Sequence, residues 1–359
     1  MFYREAGQFK TSYDKDQAIF PIIQDRWFIA ALLIVAYVAV PFFANEYWLQ
    51  AVIIPFLILA LAAIGLNILT GYAGQVSLGT GAFMAVGAYA CYKMTTNIPD
   101  MNVVFAFLLS GIFAAAAGIV FGLPSLRIKG FYLAVATLAA QFFILWLFNK
   151  VGWFYNDNPS GTITAPPREL FGITITGPRA TAEARYFVSL TFLVIGAIVA
   201  KNLVRGRIGR SWMAIRDMDI AAEIIGIRPL QTKLTAFAIS SFYCGVAGAL
   251  YIFVWLGSAE TEAFDLLQVS FPVLFMVIIG GLGSIMGAIM GAAFITLMPI
   301  FLTNFPPMIG IHLATDLQKH IEEIIFGGMI VAFLIVEPHG LARLWQIAKE
   351  KLRQWPFPY

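Results

Sequence analysis

The chain has 359 residues, of which 60% are hydrophobic and only 12% are charged, and its formal net charge is +3. Soluble domains carry charge on about 25% of their residues, so this composition excludes soluble enzymes, disordered chains and nucleic-acid-binding proteins. Long uncharged runs and a mean hydropathy of +0.81 instead indicate an all-α polytopic membrane protein, because a bilayer core selects apolar stretches of about 18 residues or more.

Residues 1–26 are polar and unlike a signal peptide, so we expect a short cytoplasmic segment before the first apolar run at Trp27. About ten membrane helices follow, each bounded by charges, prolines or polar clusters. They are predicted at 27–43, 49–69, 72–92, 103–123, 131–149, 186–204, 234–256, 269–280, 284–302 and 322–336. Residues 71–92 and 269–302 contain glycine-rich interruptions, which are also typical of broken or re-entrant helices.

The basic residues give an independent check on this topology. With the N-terminus inside, 17 of the 23 Lys and Arg residues fall on the inner side and six on the outer side, as the positive-inside rule requires. Both termini are therefore predicted to be cytoplasmic. The transmembrane domain extends over 27–336, with an outer loop at 150–184, an inner loop at 205–232 and a cytoplasmic tail at 337–359.

Three extramembrane segments have patterns of their own. The outer loop alternates β-branched residues with turn formers, which predicts a small hairpin. The inner loop has apolar residues at helical spacing from Met213 to Ile227, which predicts one short amphipathic helix ended by Gly226 and Pro229. The tail has the same kind of stripe, so we expect an amphipathic helix on the inner membrane surface.

Motifs for catalysis are absent from the sequence. There is no phosphate-binding G-x-x-x-x-G-K-[ST] pattern, no H-E-x-x-H and no G-x-S-x-G, and Cys91 and Cys244 both lie in apolar segments. We therefore predict no catalytic residue, no metal site and no cofactor in this chain. The middles of the predicted spans also lack the ionisable residues that proton- and sodium-coupled carriers use, which makes a carrier or channel acting alone the less favoured alternative.

Uncharged polar residues and glycines within the spans are the remaining candidates for function. A polar side chain in hydrocarbon needs a partner, so each faces either protein or a water-filled translocation path, and both interpretations stay open. The path candidates are Asn67, Thr70, Gln75, Ser77, Thr137, Gln141 and Ser240. Gly283, Gly287 and Gly291 have the spacing that places three glycines on one face of a helix, which predicts close packing within the chain or against another subunit.

Four segments, in this order, resemble the LivM-like permeases of branched-chain amino acid ABC importers: GLNILTGYAGQVSLGTGAF (65–83), LRIKGFYLA (126–134), GRSWMAIRD (209–217) and GGLGS (280–284). The resemblance implies a type II importer-like permease of ten helices in the bacterial inner membrane, carrying leucine, isoleucine or valine. It also implies a second, LivH-like permease, two ATPase subunits that bind ATP and Mg, and a periplasmic binding protein. Relatives that carry urea, short amides or aromatic acids leave those solutes as alternatives.

The resemblance also gives the inner loop a role. Importer permeases carry an E-A-A-x-x-x-G pattern on a coupling helix that docks in a groove of the ATPase. Ala221, Ala222 and Gly226 match its small residues, whereas Ile220 stands where the pattern has glutamate. Arg210, Arg216, Asp217 and Glu223 would form a polar rim around this contact.

Overall fold

A computed structural model describes residues 11–12, 23–98, 100–125, 132–170, 172–177, 179–308, 315–336 and 340–354. These residues are mainly helical, and the main helices are numbered here in chain order. Their bounds are α1 Ile23–Ile34, α2 Ile54–Asn67, α3 Thr80–Asn97, α4 Val103–Ser125, α5 Tyr132–Lys150, α6 Ala182–Arg205, α7 Arg207–Asp217, α8 Asp219–Ile224, α9 Pro229–Leu250, α10 Phe271–Gly280, α11 Ile285–Met308, α12 Thr315–Val336 and α13 Gly340–Gln354.

The predicted all-α polytopic architecture is confirmed. Eight helical stretches in the described ranges are long and apolar enough to cross a membrane. The other two predicted spans, 72–92 and 322–336, fall on helices α3 and α12, which are not among these eight stretches. The predicted start of the third span was wrong, because the chain leaves helical conformation after Tyr72 and α3 begins only at Thr80.

Helices α2 and α9 form the centre of the bundle, and most of their residues are buried. Helix α9 packs against α2, α3 and α4. Glycines allow the closest of these contacts: a Cβ atom at Gly87 of α3 would lie 2.1 Å from the carbonyl oxygen of Gly245, and one at Gly248 would lie 1.9 Å from that of Met84. Backbones can approach this closely only where no side chain intervenes.

Several membrane helices are irregular where they end. π-Helical turns at Trp48–Ile53 and Ile68–Tyr72 flank α2, one at Tyr251–Leu256 follows α9, and one at Leu266–Ser270 precedes α10. Two non-helical segments interrupt the bundle, at 73–79 between α2 and α3 and at 281–284 between α10 and α11. Each contains glycine with positive φ, namely Gly74 (+68°), Gly281 (+112°) and Gly283 (+78°). The two glycine-rich interruptions seen in the sequence are therefore real breaks in helical structure.

The two ends of the bundle differ. At one end, called here the hairpin end, β2 (Glu169–Leu170) pairs with β3 (Ile173–Thr174), which confirms the predicted hairpin. A second pairing joins β1 (Ile163–Thr164) to the distant β4 (Ser258–Ala259).

The opposite, basic end carries α7, α8 and α13. The inner loop forms two helices, so the prediction of a single one was wrong: Met218 is extended (φ −161°, ψ 98°) and separates α7 from α8. The tail is helical over Gly340–Gln354 as predicted, and Lys349 in α13 pairs with Asp25 at 2.9 Å. The predicted leader and the last five residues lie mostly or wholly outside the described residues, as does the family segment at 126–131.

Candidate functional site at the crossing of two broken helices

Asn67, the last residue of α2, joins the two interrupted segments. Its side chain is fully buried. Its Oδ1 accepts a hydrogen bond from the Gly283 backbone nitrogen at 2.9 Å, and its Nδ2 donates to the Ser284 carbonyl oxygen at 2.8 Å. One amide thus gives a partner to the Gly283 nitrogen in the break before α11, and it adds a second donor to the Ser284 carbonyl oxygen, which also accepts from the Ala288 nitrogen at 3.0 Å. We call Asn67, Gly71, Gly283 and Ser284 the junction.

The junction is closed by direct contact of two glycines. A Cβ atom at Gly71 would lie 2.2 Å from the Gly283 nitrogen and 2.1 Å from Asn67 Oδ1. Gly283 has φ +78° and precedes α11, which starts at Ile285. The prediction that Gly283 shares a helix face with Gly287 and Gly291 was therefore wrong, because the positive φ that this turn requires places it outside the helix.

Arg216, in the last turn of α7, reaches the junction from the basic end. Its Nη1 donates to the Gly71 carbonyl oxygen at 2.9 Å, at the end of a helical segment where the dipole favours a cation. Its Nε and Nη2 both lie 2.9 Å from Asp217 Oδ1. Gly74 makes room for this side chain, since a Cβ atom there would lie 2.8 Å from Arg216 Cγ.

Helix α7 is fixed to the bundle by its apolar face. The Trp212 side chain is completely buried, and its Nε1 donates to Thr235 Oγ1 in α9 at 3.2 Å. Ile215 is buried beside it, and α7 contacts α6, α9 and the π-turn that contains Gly71. The position of the Arg216 guanidinium is therefore set by a rigidly packed helix.

Helix α8 projects apolar side chains away from the bundle. Ala222 is buried, at 2% exposure, whereas Ala221, Arg210 and Glu223 are exposed. Gly226 has φ +90° just beyond the helix, the conformation that ends helices and favours glycine. Large apolar side chains are exposed in this region, and we call them the α8 patch: Met218, Ile220, Ile224 and Ile225, at 64%, 64%, 82% and 75% exposure.

A second polar cluster covers the start of α3. Gln141 of α5 accepts a hydrogen bond from the Ala82 nitrogen at 2.6 Å through Oε1 and donates to the Phe264 carbonyl oxygen at 2.7 Å through Nε2. Ser270 accepts from the Gly81 nitrogen at 2.9 Å and donates to Gln141 Oε1 at 3.2 Å. These bonds satisfy main-chain nitrogens of a helix that starts within an apolar environment.

The rest of the cluster serves the residues just before α3. Thr137 Oγ1 accepts from the Leu78 nitrogen at 2.9 Å, and Ser77 Oγ lies 3.4 Å from the Gly79 nitrogen. Hydrogen bonds to main-chain nitrogens at or just before the start of α3 thus account for Thr137, Gln141 and Ser77, three of the path candidates. Ser270 was not predicted from the sequence, and no local pattern signals its role, because its hydroxyl serves α3 and makes no cap on the helix that follows it.

Other path candidates have no such role. Thr70 Oγ1, both amide atoms of Gln75 and Thr80 Oγ1 are buried and have no hydrogen-bond partner among the described residues. Gln75 is only 5% exposed, while its neighbours Gly74 and Val76 are exposed. Ser240 is buried in α9, and its carbonyl oxygen would lie 3.1 Å from a Cβ atom at Gly65. Among the predicted path residues, the structure therefore leaves Thr70 and Gln75 with unpaired polar groups, whereas Asn67, Ser77, Thr137 and Gln141 bond main-chain groups.

The remaining predicted glycines pack helices within the chain. A Cβ atom at Gly287 would lie 2.5 Å from the Gly280 carbonyl oxygen, and one at Gly291 would lie 1.9 Å from that of Met276. Both contacts join α11 to α10. Of the two interpretations left open by the sequence, close packing within the chain accounts for these two positions.

Comparison with known families gives this arrangement a context. The family model described as "Branched-chain amino acid transport system / permease component" matches residues 49–334. The chain belongs to this family. The matched range includes both breaks, the junction, α7 and α8, so the candidate site lies within the part that defines the family.

Relatives with curated names agree with this assignment. The high-affinity branched-chain amino acid transport system permease protein LivM of Salmonella typhimurium is 29% identical over 89% of this chain and 75% of its own length. A probable branched-chain amino acid permease LivM of Methanocaldococcus jannaschii is 23% identical over 73% of this chain and 76% of its own. The ribose import permease protein RbsC of Haemophilus influenzae is 24% identical over 76% of this chain and 83% of its own. No solved structure matches the chain.

Proposed function

We propose that this permease is the membrane subunit of an ATP-driven importer of branched-chain amino acids in a bacterial inner membrane, with both termini in the cytoplasm. The observation that carries the proposal is the family match across 49–334. The matched range includes the two helix breaks, at 73–79 and 281–284, and the helix pair α7–α8. The names of the LivM relatives support leucine, isoleucine and valine as solutes. The chain would catalyse no reaction of its own, and ATP and Mg would bind to partner ATPase subunits.

The α8 patch supports coupling to an ATPase. Four large apolar side chains exposed outside the membrane-spanning helices call for a partner surface, because soluble surfaces rarely leave such clusters in water. Arg210, Glu223 and Ala221 lie exposed around the patch and would form its rim. Ala222 is buried, so it would pack α8 against the rest of the chain and would not contact the ATPase.

The segment 73–79 supports a translocation path shared with a second, LivH-like permease. Gly74 and Val76 are exposed there, whereas Thr70 and Gln75 hold hydrogen-bonding groups without partners among the described residues. An uncharged amide can donate to a carboxylate and accept from an ammonium group, which suits a zwitterionic amino acid delivered by a periplasmic binding protein.

A neutral solute is the second candidate. The likeness to a ribose import permease favours it, because an uncharged lining serves a sugar, urea or a short amide equally well. Aromatic acids, carried by other members of the family, are a further alternative. The choice between these solutes and amino acids would then rest on the binding protein.

The test is purification of the tagged full chain with its operon partners, followed by reconstitution in liposomes. We expect a second permease and ATPase subunits to copurify, and radiolabelled leucine to enter only when ATP and the binding protein are both present. Competition by unlabelled ribose or urea would favour the second candidate. Leucine uptake by this chain alone, without ATP, would show that it is a carrier or channel.

A further inference from the structure

We infer that the junction is a gate in the translocation path, on the side of the basic end of the bundle. We further infer that Arg216 links this gate to the helix pair α7–α8. The inference rests on the proposed function and adds to it a position for the gate and a residue that positions it. It assigns Arg216 a mechanical role within the chain, separate from the polar rim against a partner that the sequence predicted.

The junction has the structure of a movable closure. Gly283 and Ser284 lie in the non-helical segment 281–284, whereas Asn67 ends α2 and Gly71 lies in the π-turn that directly precedes the non-helical segment 73–79. Each of these two non-helical segments contains glycine with positive φ. Large domain motions are absorbed by a few residues of this kind at the ends of regular elements. The π-turn at Ile68–Tyr72 adds a further irregularity directly beside the contact, and such turns are frequent at functional sites.

Exposed residues lie near the junction in both non-helical segments. Val76, after the first break, is 43% exposed, and Leu282, within the second, is 47% exposed. Between them the two main chains touch at Gly71 and Gly283. Separation of these segments would therefore open a passage at a surface that is still accessible in this chain.

Arg216 is bonded to one side of the closure and lies close to the other. Its Nη1 donates to the Gly71 carbonyl oxygen, and the same nitrogen would lie 3.4 Å from a Cβ atom at Gly283. Asp217 engages Nε and Nη2 and so fixes the plane of the guanidinium. Lysine could not reproduce this geometry, because a single ammonium group lacks the planar fork.

The helix pair α7–α8 connects the Arg216–Gly71 hydrogen bond to the exposed α8 patch. Helix α8 contacts α7, and α7 carries Arg216 on a backbone anchored by buried Trp212. A displacement imposed on α8 by a docked partner would reach Gly71 through one packed helix and one hydrogen bond. A residue that only caps a helix end would have no such effect on transport.

The functional experiment compares three variants of the reconstituted full complex: Arg216→Gln, Arg216→Lys and, as a control, Arg207→Gln. Arg207 is an exposed arginine in the first turn of the same helix. We expect Arg216→Gln to hydrolyse ATP while leucine uptake per ATP falls at least about tenfold, the effect that loss of a charged hydrogen bond supports. Leucine uptake per ATP should fall less in Arg216→Lys, and in the Arg207→Gln control it should equal that of the unsubstituted complex. If leucine uptake and ATP hydrolysis fall together in Arg216→Gln, or if uptake per ATP is unchanged, the proposed role of Arg216 is wrong.

A distance measurement tests the gate itself. Spin labels at Val76→Cys and Leu282→Cys report the separation of the two segments, and the native Cys91 and Cys244 are buried. We expect this distance to change when a non-hydrolysable ATP analogue binds the complex, and to stay fixed in Arg216→Gln. A fixed distance in a complex that transports leucine would refute the gate and leave the proposed function intact. A complex without ATP-dependent uptake would refute the proposed function, and the inference with it.

Discussion

Asn67 and Gly283 are 216 positions apart in the chain, yet the side-chain oxygen of the first accepts a 2.9 Å hydrogen bond from the backbone nitrogen of the second. The amide nitrogen of the same side chain donates to Ser284. Two interrupted membrane segments are thereby held at one point. Glycine is required at 283 by its φ of +78° and at 71 by the contact, because a Cβ atom at Gly71 would lie 2.2 Å from the Gly283 nitrogen.

Replacing Asn67 should therefore destabilise the fold. In Asn67→Ala the Gly283 nitrogen loses its partner and the Ser284 carbonyl oxygen keeps only its bond from the Ala288 nitrogen, and a main-chain group left unpaired away from water costs about 1–3 kcal/mol. We expect a lower thermal midpoint in detergent. Asn67→Asp keeps the acceptor for Gly283 and loses the donor to Ser284, and it also buries a carboxyl group. An unchanged midpoint in Asn67→Ala would contradict the structural role of this amide.

Gln75 offers a contrast between stability and transport. Its amide is buried without a partner among the described residues, so replacement of such a group by an apolar one of similar shape is close to neutral or stabilising. Gln75→Leu should keep the thermal midpoint and reduce leucine uptake by the reconstituted complex. If uptake is unchanged, Gln75 does not contact the solute. A large loss of stability would instead reveal a structural partner for the amide.

The glycines of α11 predict a difference between two alanine variants. At Gly291 a Cβ atom would meet the Met276 carbonyl oxygen at 1.9 Å, so Gly291→Ala should lower the free energy of unfolding by about 1–3 kcal/mol. At Gly327 in α12 no atom of the described side chains or of another segment's described backbone lies within 4 Å of the added Cβ. Gly327→Ala should be neutral or slightly stabilising, because alanine favours helix. Equal effects on the unfolding midpoint would show that the close approach at Gly291 relaxes easily.

The α8 patch predicts loss of assembly without loss of folding. Ile224 is 82% exposed, so Ile224→Ser should change stability by less than about 0.5 kcal/mol. Removing an apolar anchor from an interface should weaken ATPase copurification by about tenfold or more. Ile173→Ser, at an exposed isoleucine of the opposite hairpin end, is the matched control and should copurify normally. Full ATPase recovery with Ile224→Ser would exclude Ile224 as a docking residue.

Local chemistry explains which features of this protein the sequence by itself determined. Continuous apolar runs can be satisfied in a bilayer only as helices, so the all-α membrane architecture, most of the spans and the amphipathic tail helix followed from composition and spacing. Turn-forming residues predicted a small hairpin within the outer loop 150–184, and the structure places it at Glu169–Leu170 and Ile173–Thr174. The glycine-rich runs marked both helix breaks, because glycine is the residue that accepts positive φ without strain.

The tertiary structure decided what the polar residues do. A threonine or glutamine in an apolar segment has the same appearance whether it caps a neighbouring helix or faces a solute, and only three-dimensional proximity showed that Thr137 and Gln141 serve the start of α3. The division of the inner loop at Met218 and the burial of Ala222 likewise depend on packing against α7 and α9. The contact of Arg216 with Gly71 spans 145 positions, and no local pattern encodes a bond whose two partners are brought together only by the folded bundle.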